Sequence, residues 1–190
     1  MGTGINPGSF SRVVPADDNR ARLVCDVCGF IQYENPKIVV GALCRWRDRI
    51  LLCRRAIPPR AGYWTLPAGY LELNETSEAG ARREVWEEAR ARITIDRLMA
   101  IYDIPRISQV QLFYRARLLA SDIAPGPESR EVALFSWEEI PRDALAFPSV
   151  AWALDQDREI GAASDFAVRT NPPGETGDVK PGSGGSCLSS

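Results

Sequence analysis

The chain contains no histidine among its 190 residues. Histidine is the side chain that titrates closest to neutral pH and the commonest metal ligand in proteins. Its absence excludes a histidine general base and every metal site that needs an imidazole. Acid–base or metal chemistry in this chain must therefore rest on carboxylate, thiol, amine or phenol groups.

Long apolar runs and an excess of basic residues are also missing. No apolar stretch reaches the roughly 18 residues of a membrane-spanning helix. Lys and Arg number 23 against 25 Asp and Glu, which gives a net charge of −2. Because nucleic-acid-binding proteins carry a basic footprint, we expect neither nucleic acid nor a membrane as a partner. The N-terminus lacks a secretory leader, so we expect a cytoplasmic protein.

Cysteines are few and scattered, which argues against a disulfide framework. Cys25 and Cys28 form the one Cys-x-x-Cys pair, followed by Gly29. A structural zinc site takes four ligands, and the sequence has no second pair upstream and no histidine. We therefore expect a vestigial turn with free thiols and no bound zinc. A zinc site shared between two chains is the alternative.

Composition divides the chain into four parts. Residues 1–22 are polar and predict a flexible arm. Residues 23–36 hold the cysteine pair and resemble a degenerate zinc ribbon. Residues 37–160 contain the apolar runs of a folded domain. Residues 161–190 are rich in Gly, Pro and Ser and predict a disordered tail.

Strands and helices are interspersed within residues 37–160. Apolar runs at 38–46 and 50–55 predict a hairpin, and further strands follow the first helix. Helices are predicted at 77–90 and 149–160. The candidate N-caps of the first helix are Asn74, Thr76 and Ser77. Strands with interposed helices indicate an α+β fold or a mixed-sheet sandwich.

The helix at 77–90 carries Glu84, Glu87 and Glu88 on one face, because these positions stand at i, i+3 and i+4. Like charges at this spacing repel by about a few tenths of a kcal/mol per pair. The cluster is explained if a cation lies among the carboxylates. Carboxylate oxygens without imidazole or thiolate favour Mg²⁺ or Mn²⁺ over Zn²⁺. A solvated, charged helix face is the alternative.

The glutamate cluster belongs to a longer spaced motif. Its residues are Gly69, Glu75, Arg83, Glu84, Val85, Glu87 and Glu88. This string resembles the signature of the Nudix hydrolase family. The resemblance implies that family's fold, an α+β protein built as an α/β/α sandwich with a mixed β-sheet and a signature loop-helix.

The resemblance also implies roles for these residues. The expected metal ligands are Gly69, Glu84, Glu87 and Glu88. Arg83 and Glu75 are expected to form an ion pair that joins the loop to the helix. The implied reaction is attack of a metal-activated water on one phosphorus of a diphosphate. Glu87 and Glu88 are both candidates for the general base.

One signature position departs from the family pattern. Arg90 stands where the family usually has glycine. Such a glycine fits a left-handed helix end. Either the helix continues through Ala91, or Arg90 itself adopts the strained left-handed conformation. We expect an altered helix end with the carboxylates in place.

The resemblance extends over about residues 23–154, with strings such as Asn35-Pro36-Lys37 and Asp103-Ile104-Pro105-Arg106-Ile107. These strings resemble a subgroup of Nudix proteins that carry a small zinc ribbon. This subgroup includes a plant chloroplast enzyme that hydrolyses FAD. The resemblance therefore implies magnesium-dependent hydrolysis of FAD or, as second choice, ADP-ribose, giving AMP and the other phosphate half. The alternatives are a nucleoside-triphosphate pyrophosphohydrolase and a nucleotide-binding module without turnover.

Several side chains outside the signature are candidates for the site. The expected substrate contacts are Arg54, Arg106, Tyr63 and Trp64. Arginine forks match phosphate oxygens, and aromatic rings stack on adenine or flavin, although core packing is the alternative for the rings. Glu131 is the candidate for a loop glutamate that assists water activation in related enzymes. The resemblance also offers a homodimer as a partner state, because homodimers are common among relatives that build their pocket across subunits.

Overall fold

The computed structural model describes residues 8–179, which form two units. The first unit comprises residues 8–36 and the second comprises residues 37–179. Among these residues no helix is long and apolar enough to span a membrane.

The first unit is a three-stranded antiparallel sheet. Its strands are β1 (Phe10–Val13), β2 (Arg22–Cys25) and β3 (Ile31–Gln32), in that order. Asp18 holds the connection between β1 and β2, because its carboxylate lies 2.7 Å from Arg22. The predicted flexible arm over residues 1–22 is therefore wrong for residues 10–22, where backbone pairing orders a polar sequence. Residues 1–7 lie outside the described range.

The cysteine pair lies just after β2. Cys25 is buried, Cys28 is exposed, and both thiols are free. Hydrogen bonds from the backbone of Cys28 and Val27 lower the pKa of Cys25, as in a turn that can hold a thiolate. Residues 8–36 thus offer two of the four ligands that a structural zinc site needs. The expectation of no bound zinc stays a prediction.

The second unit contains one mixed sheet and two helices. The strands are β4 (Lys37–Trp46), β5 (Arg49–Arg55), β6 (Trp64–Thr65), β7 (Ala68–Tyr70), β8 (Ile93–Ile104), β9 (Gln109–Leu118) and β10 (Ser129–Phe135). The helices are α1 (Ser77–Ala89) and α2 (Pro148–Ile160). The sheet order is β10-β5-β4-β9-β8, with β6 beside β5 and β7 beside β4. Strands β4 and β9 run parallel and the other pairs run antiparallel.

Strand β4 divides the core into two layers, because successive side chains of a strand point to opposite faces. Val40 and Cys44 join the apolar cluster that contains Val85 of α1. Leu43 joins the other cluster, which contains Leu154 of α2. One helix therefore covers each face of the sheet. This α/β/α sandwich is the architecture that the signature resemblance implied.

A buried ion cluster attaches α2 to the sheet. Asp157 is fully buried and accepts hydrogen bonds from Arg45 of β4 at 2.5 and 2.8 Å. Arg115 of β9 lies 3.3 Å from the other carboxylate oxygen and also donates to the carbonyl of Gly161 at 2.5 Å. The cluster fixes both the helix and the start of the chain that follows it.

The chain after α2 differs from the predicted disorder over residues 161–179. Arg169 exchanges two backbone hydrogen bonds of 2.9 Å with residues of β8. The side chain of Asn171 then bonds the backbone N–H and C=O of Asp103 at 2.9 and 2.8 Å. These polar contacts order a segment that has no apolar run to reveal it. Residues 180–190 lie outside the described range.

Helix α1 ends at the position that departs from the family signature. Arg90 has φ 51° and ψ 24°, which is the left-handed conformation, and its N–H donates to the carbonyl of Trp86. Of the two alternatives, the structure therefore has the strained arginine and not a longer helix. This conformation costs a non-glycine residue about 1–2 kcal/mol.

The variant Arg90→Gly should raise the free energy of unfolding by about 0.5–1 kcal/mol. The relief of strain is offset in part by loss of the cation–π contact with Trp86, which is worth about 0.5–1 kcal/mol at an exposed site. Urea denaturation followed by circular dichroism measures the change. As a control, Arg82→Gly in the helix interior should lower stability by about 1 kcal/mol. A destabilised Arg90→Gly variant would contradict this account.

Candidate active site

The loop between β7 and α1 sets where the acidic helix begins. Gly69 pairs with Val40 of β4, so the loop leaves the sheet at a fixed point. Thr76 is the N-cap of α1, and its hydroxyl accepts the N–H of Ala79 at 3.2 Å. The helix therefore starts in a register that turns its glutamates toward β7.

Two glutamates of α1 are buried against the main chain of β7. Glu84 is 8% exposed and Glu88 is 6% exposed. The backbone of Ala68 hydrogen-bonds the carboxylate of Glu88, and a side chain at Gly69 would collide with the carboxylate of Glu84. The position therefore needs glycine because a carboxylate approaches the backbone this closely. Sequence reasoning missed the part played by Ala68.

Arg83 joins the loop to the helix. Its guanidinium donates to both oxygens of Glu75, at 2.8 and 3.2 Å, and to the carbonyl of Tyr70 at 2.9 Å. It also donates to Glu84 at 2.7 Å and to Glu87 at 2.9 Å. The hydrogen bond with Glu75 is the main cause that raises the pKa of Arg83 and lowers that of Glu75. One cation thus holds three carboxylates and the loop backbone.

The buried pair resists ionisation. Burial raises the pKa of Glu84 and raises that of Glu88 to about 8, and the charge of Glu84 contributes further to the shift at Glu88. A carboxyl pair of this kind favours its charged form when a cation binds beside it. The electrostatics of the site therefore fit a bound positive ion.

The donor set fits Mg²⁺ or Mn²⁺, which take carboxylate oxygens. Within residues 8–179 no three His, Cys, Asp or Glu side chains converge on one point. Glu87 is half-exposed and lies beside Glu84, because one nitrogen of Arg83 donates to Glu84 at 2.7 Å and to Glu87 at 2.9 Å. Magnesium typically binds one or two carboxylates and is completed by substrate phosphates. Glu84 and Glu88 offer such a partial set.

Glu128 ends the loop before β10, whereas Glu131 lies within β10, and of these two charges only that of Glu128 acts on the buried pair. The charge of Glu128 contributes to the raised pKa of both Glu84 and Glu88. Its loop is fixed because Gly126 donates to the carbonyl of Glu88 at 3.0 Å. Glu131, the sequence candidate, instead pairs with Arg54 at 3.3 Å on the surface of β10 and β5.

The sequence favours an ordinary surface arginine over a phosphate contact at position 55, whereas in the structure the charge of Arg55 acts on Glu88. This positive charge lowers the pKa of Glu88, in opposition to the burial. The Nε of Arg55 donates to the carbonyl of Pro59 at 2.8 Å, and its guanidinium lies 5.3 Å from the ring centre of Phe147. The sequence signal that could have identified Arg55 is its position at the end of β5, next to Arg54, a predicted substrate contact.

Three of the four predicted substrate contacts are neighbours, because Arg54 pairs with Trp64 and Tyr63 precedes Trp64, whereas Arg106 lies in the turn between β8 and β9. Trp64 is a core residue, 9% exposed and packed edge-on against Phe135 at 4.9 Å, which corrects its assignment as a stacking platform. Arg106 is paired with Asp178 at 2.6 Å, and Arg54 with Glu131. Tyr63 lies half-buried, with the guanidinium of Arg60 at 4.2 Å from its ring centre. The candidate site is therefore defined by the residues of the spaced motif from Gly69 to Glu88 and not by these four side chains.

Comparison with known proteins agrees with this geometry. The NUDIX domain family matches residues 35–154, and the Nudix N-terminal zinc-ribbon family matches residues 8–34. A crystal structure of a NUDIX hydrolase from Nitrosomonas europaea is 43% identical, with a TM-score of 0.82 over 86% of this chain and 94% of that chain.

Curated relatives are more distant. A MutT-like protein of Streptomyces ambofaciens is 36% identical over 102 residues, 54% of this chain and 64% of that protein. An ADP-ribose pyrophosphatase of Methanocaldococcus jannaschii is 26% identical over 119 residues, 60% of this chain and 69% of that protein. The NAD-capped RNA hydrolase NudC of Deinococcus radiodurans is 28% identical over 160 residues, 81% of this chain and 56% of that protein. The chain thus spans roughly half to two thirds of these relatives.

The NUDIX domain match and the structural neighbour from Nitrosomonas europaea agree with the sandwich fold and with the spaced motif from Gly69 to Glu88. The predicted fold class and the prediction of a hydrolytic enzyme are confirmed, and the chain belongs to the Nudix hydrolase family.

Proposed function

We propose that this Nudix hydrolase cleaves the diphosphate linkage of a nucleoside-diphosphate compound in a Mg²⁺- or Mn²⁺-dependent reaction. The products are AMP and the other phosphate half. The observation that carries the proposal is the burial of Glu84 and Glu88 side by side, each against the backbone of β7. Buried like charges are costly unless a cation or a proton compensates them.

Each residue of the site has a distinct part in the proposal. Glu84 and Glu88 hold the metal, which when bound supplies charge neutralisation and a water of lowered pKa. Arg83 keeps Glu84 in place from the solvent side through its 2.7 Å hydrogen bond. Arg55 lies near enough to act on Glu88, and it is the candidate to orient a substrate phosphate with its guanidinium.

The two candidate substrates are ADP-ribose and FAD. A curated relative named ADP-ribose pyrophosphatase supports the first, and the subgroup resemblance of the sequence supports the second. Both molecules contain an adenosine diphosphate half, so the same position of the diphosphate beside Glu88 serves either.

Incubation with Mg²⁺ should release AMP from ADP-ribose or FAD, and EDTA should abolish the release. Chromatography of a panel of ADP-ribose, FAD, NADH, diadenosine polyphosphates and nucleoside triphosphates measures it. Turnover of triphosphates alone would favour a nucleoside-triphosphate pyrophosphohydrolase. Binding without turnover would favour a nucleotide-binding module, and turnover undiminished in EDTA would contradict the metal mechanism.

The variant Glu88→Gln should lower kcat by about a hundredfold or more, since a metal supplies several kcal/mol of transition-state stabilisation. It should also weaken Mn²⁺ binding in an electron paramagnetic resonance titration. The matched control is Glu78→Gln, the same change at an exposed carboxylate of the same helix, paired with Arg82 at 3.3 Å. Equal turnover and equal Mn²⁺ binding in both variants would exclude Glu88 as a ligand.

A second pair of variants identifies which glutamate acts as the general base. Glu128→Gln should lower kcat by about 10²-fold or more if the carboxylate accepts the proton of the attacking water. Glu131→Gln should leave kcat within about twofold, because an exposed pair with Arg54 contributes little. The KM for the nucleotide should change little in either variant. A large loss of kcat in Glu131→Gln but not in Glu128→Gln would identify Glu131 as the general base. A loss of kcat in Glu87→Gln alone would identify Glu87 of α1 as the general base.

A further inference from the structure

Two neighbouring cavities lie at the end of the sheet where β4 and β9 finish. One has a volume of about 400 Å³ and the other about 420 Å³, and Leu119 lines both. The first is lined by the ends of β4 and β9 and the start of β8, and the second by the outer face of α1 and the residues after it. Together they form one continuous surface, which we call the arginine surface.

Positive charge is concentrated on the arginine surface. The arginines that line it are Arg45, Arg47, Arg82, Arg92, Arg115 and Arg117, and the lining carboxylate is Asp96. Four of these six arginines are paired with a carboxylate: Arg117 with Asp96 at 2.9 Å, Arg82 with Glu78 at 3.3 Å, and both Arg45 and Arg115 with the buried Asp157. The chain as a whole has a net charge of −2. The surface is therefore locally basic in a protein that is weakly acidic on average.

Arg47 and Arg92 on this surface, and Arg90 beside it, contact aromatic rings with their guanidinium groups, and the described residues contain no ion pair for these three arginines. Arg90 and Arg92 lie 5.7 and 5.6 Å from the ring centre of Trp86, and Arg47 lies 5.8 Å from that of Trp46. Trp86 is 44% exposed, an unusual position for so large an apolar ring on a helix. An exposed ring beside arginines without an ion pair is the chemistry that binds a single-stranded nucleic acid.

The arginine surface is separate from the metal site. Trp86 and Arg82 are exposed on α1, whereas Glu84 and Glu88 are buried on the same helix. The exposed and buried residues lie on different sides of α1. The hydrolytic reaction has no use for Trp86, so its exposure requires another explanation.

We propose that the arginine surface binds a single-stranded nucleic acid, with bases stacked at Trp86 and phosphates at Arg47, Arg90 and Arg92. The phosphodiester chain supplies one negative charge per nucleotide, which matches guanidinium groups distributed over two adjoining cavities. A single nucleotide would occupy one cavity and leave the other basic residues without a partner. The proposal goes beyond hydrolysis of a small diphosphate and does not depend on it.

Charge argues against the other occupants. A second copy of this chain seated symmetrically would place arginines opposite arginines, which is unfavourable. A membrane surface binds amphipathic helices through a projecting apolar face. Here Trp86 instead lines a concave surface together with Arg82 and Arg92. A strand of nucleotides fits both the concavity and the charge.

The expectation of no nucleic-acid partner rested on net charge, which averages over the whole chain. The arginine surface shows how an average conceals a local pattern: its arginines come from four separate parts of the sequence, around 45–47, 82, 90–92 and 115–117. Only the fold brings these parts together. Composition alone therefore does not exclude this partner.

The test measures binding of a fluorescein-labelled single-stranded oligoribonucleotide of about ten nucleotides to the full chain by fluorescence anisotropy. Trp86→Ala should weaken binding about tenfold, since stacking of one base is worth about 1–3 kcal/mol. The double variant Arg47→Gln/Arg92→Gln should reduce the slope of log affinity against log salt by about 1.4, or about 0.7 per phosphate contact. Hydrolysis of the small substrate should be unchanged in all variants.

The matched control is the double variant Arg12→Gln/Arg20→Gln, which removes the same charge from exposed positions of the first unit and should bind like the unaltered chain. Thermal melting verifies that each variant is folded. A matched deoxyribonucleotide strand identifies the source: tighter binding of RNA assigns the surface to RNA, and equal or tighter binding of DNA assigns it to DNA.

Three results would overturn the proposal. The first is no binding of either strand by the unaltered chain at about 50 mM salt, where phosphate contacts are strong. The second is binding that survives Trp86→Ala and is matched by inorganic polyphosphate, because it would reflect charge alone. The third is binding to phosphatidylserine vesicles without binding to oligonucleotides, because the surface would then serve a membrane.

Discussion

The contact between the buried carboxylates of α1 and the main chain of β7 constrains the rest of the catalytic unit. Glu84 reaches the backbone only because position 69 has no side chain, and Glu88 accepts a hydrogen bond from Ala68. A helix that shifted by one residue would lose both contacts and expose Val85, which packs in the core. The apolar packing of α1 and the geometry of the acidic pair therefore depend on the same register.

The two faces of the sheet use buried charge in opposite ways. On the α2 face, Asp157 is enclosed by Arg45 and Arg115, so its charge is compensated by the protein itself. On the α1 face, Arg83 compensates part of the charge near Glu84, and Glu88 keeps a raised pKa. A carboxylate whose charge is fully compensated by arginines supports the fold. Carboxylates whose charge is only partly compensated can bind a cationic ligand. The fold thus separates a structural ion cluster from a reactive one.

The sequence predicted those features that depend on local spacing. The helix at 77–90 begins at Ser77 as expected, and Arg83 lies within hydrogen-bond distance of Glu75. Contacts between distant segments escaped prediction, such as the effect of Arg55 on Glu88. Local rules also left two conformations open at Arg90, and the fold selected the left-handed one. Hydrophobic periodicity predicts each helix or strand separately. Charge clusters and backbone pairing at a sheet edge join distant segments, so they are found only in the folded structure.

The segment that follows α2 occupies backbone groups at one edge of the sheet. Strand β8 is the outermost strand at one side of the sheet, and the outermost strands of sheets offer unpaired backbone groups to other molecules. Arg169 and Asn171 occupy those groups between Met99 and Asp103. A polar stretch with no core of its own thereby covers the part of this edge strand between Met99 and Asp103 against strands of neighbouring chains.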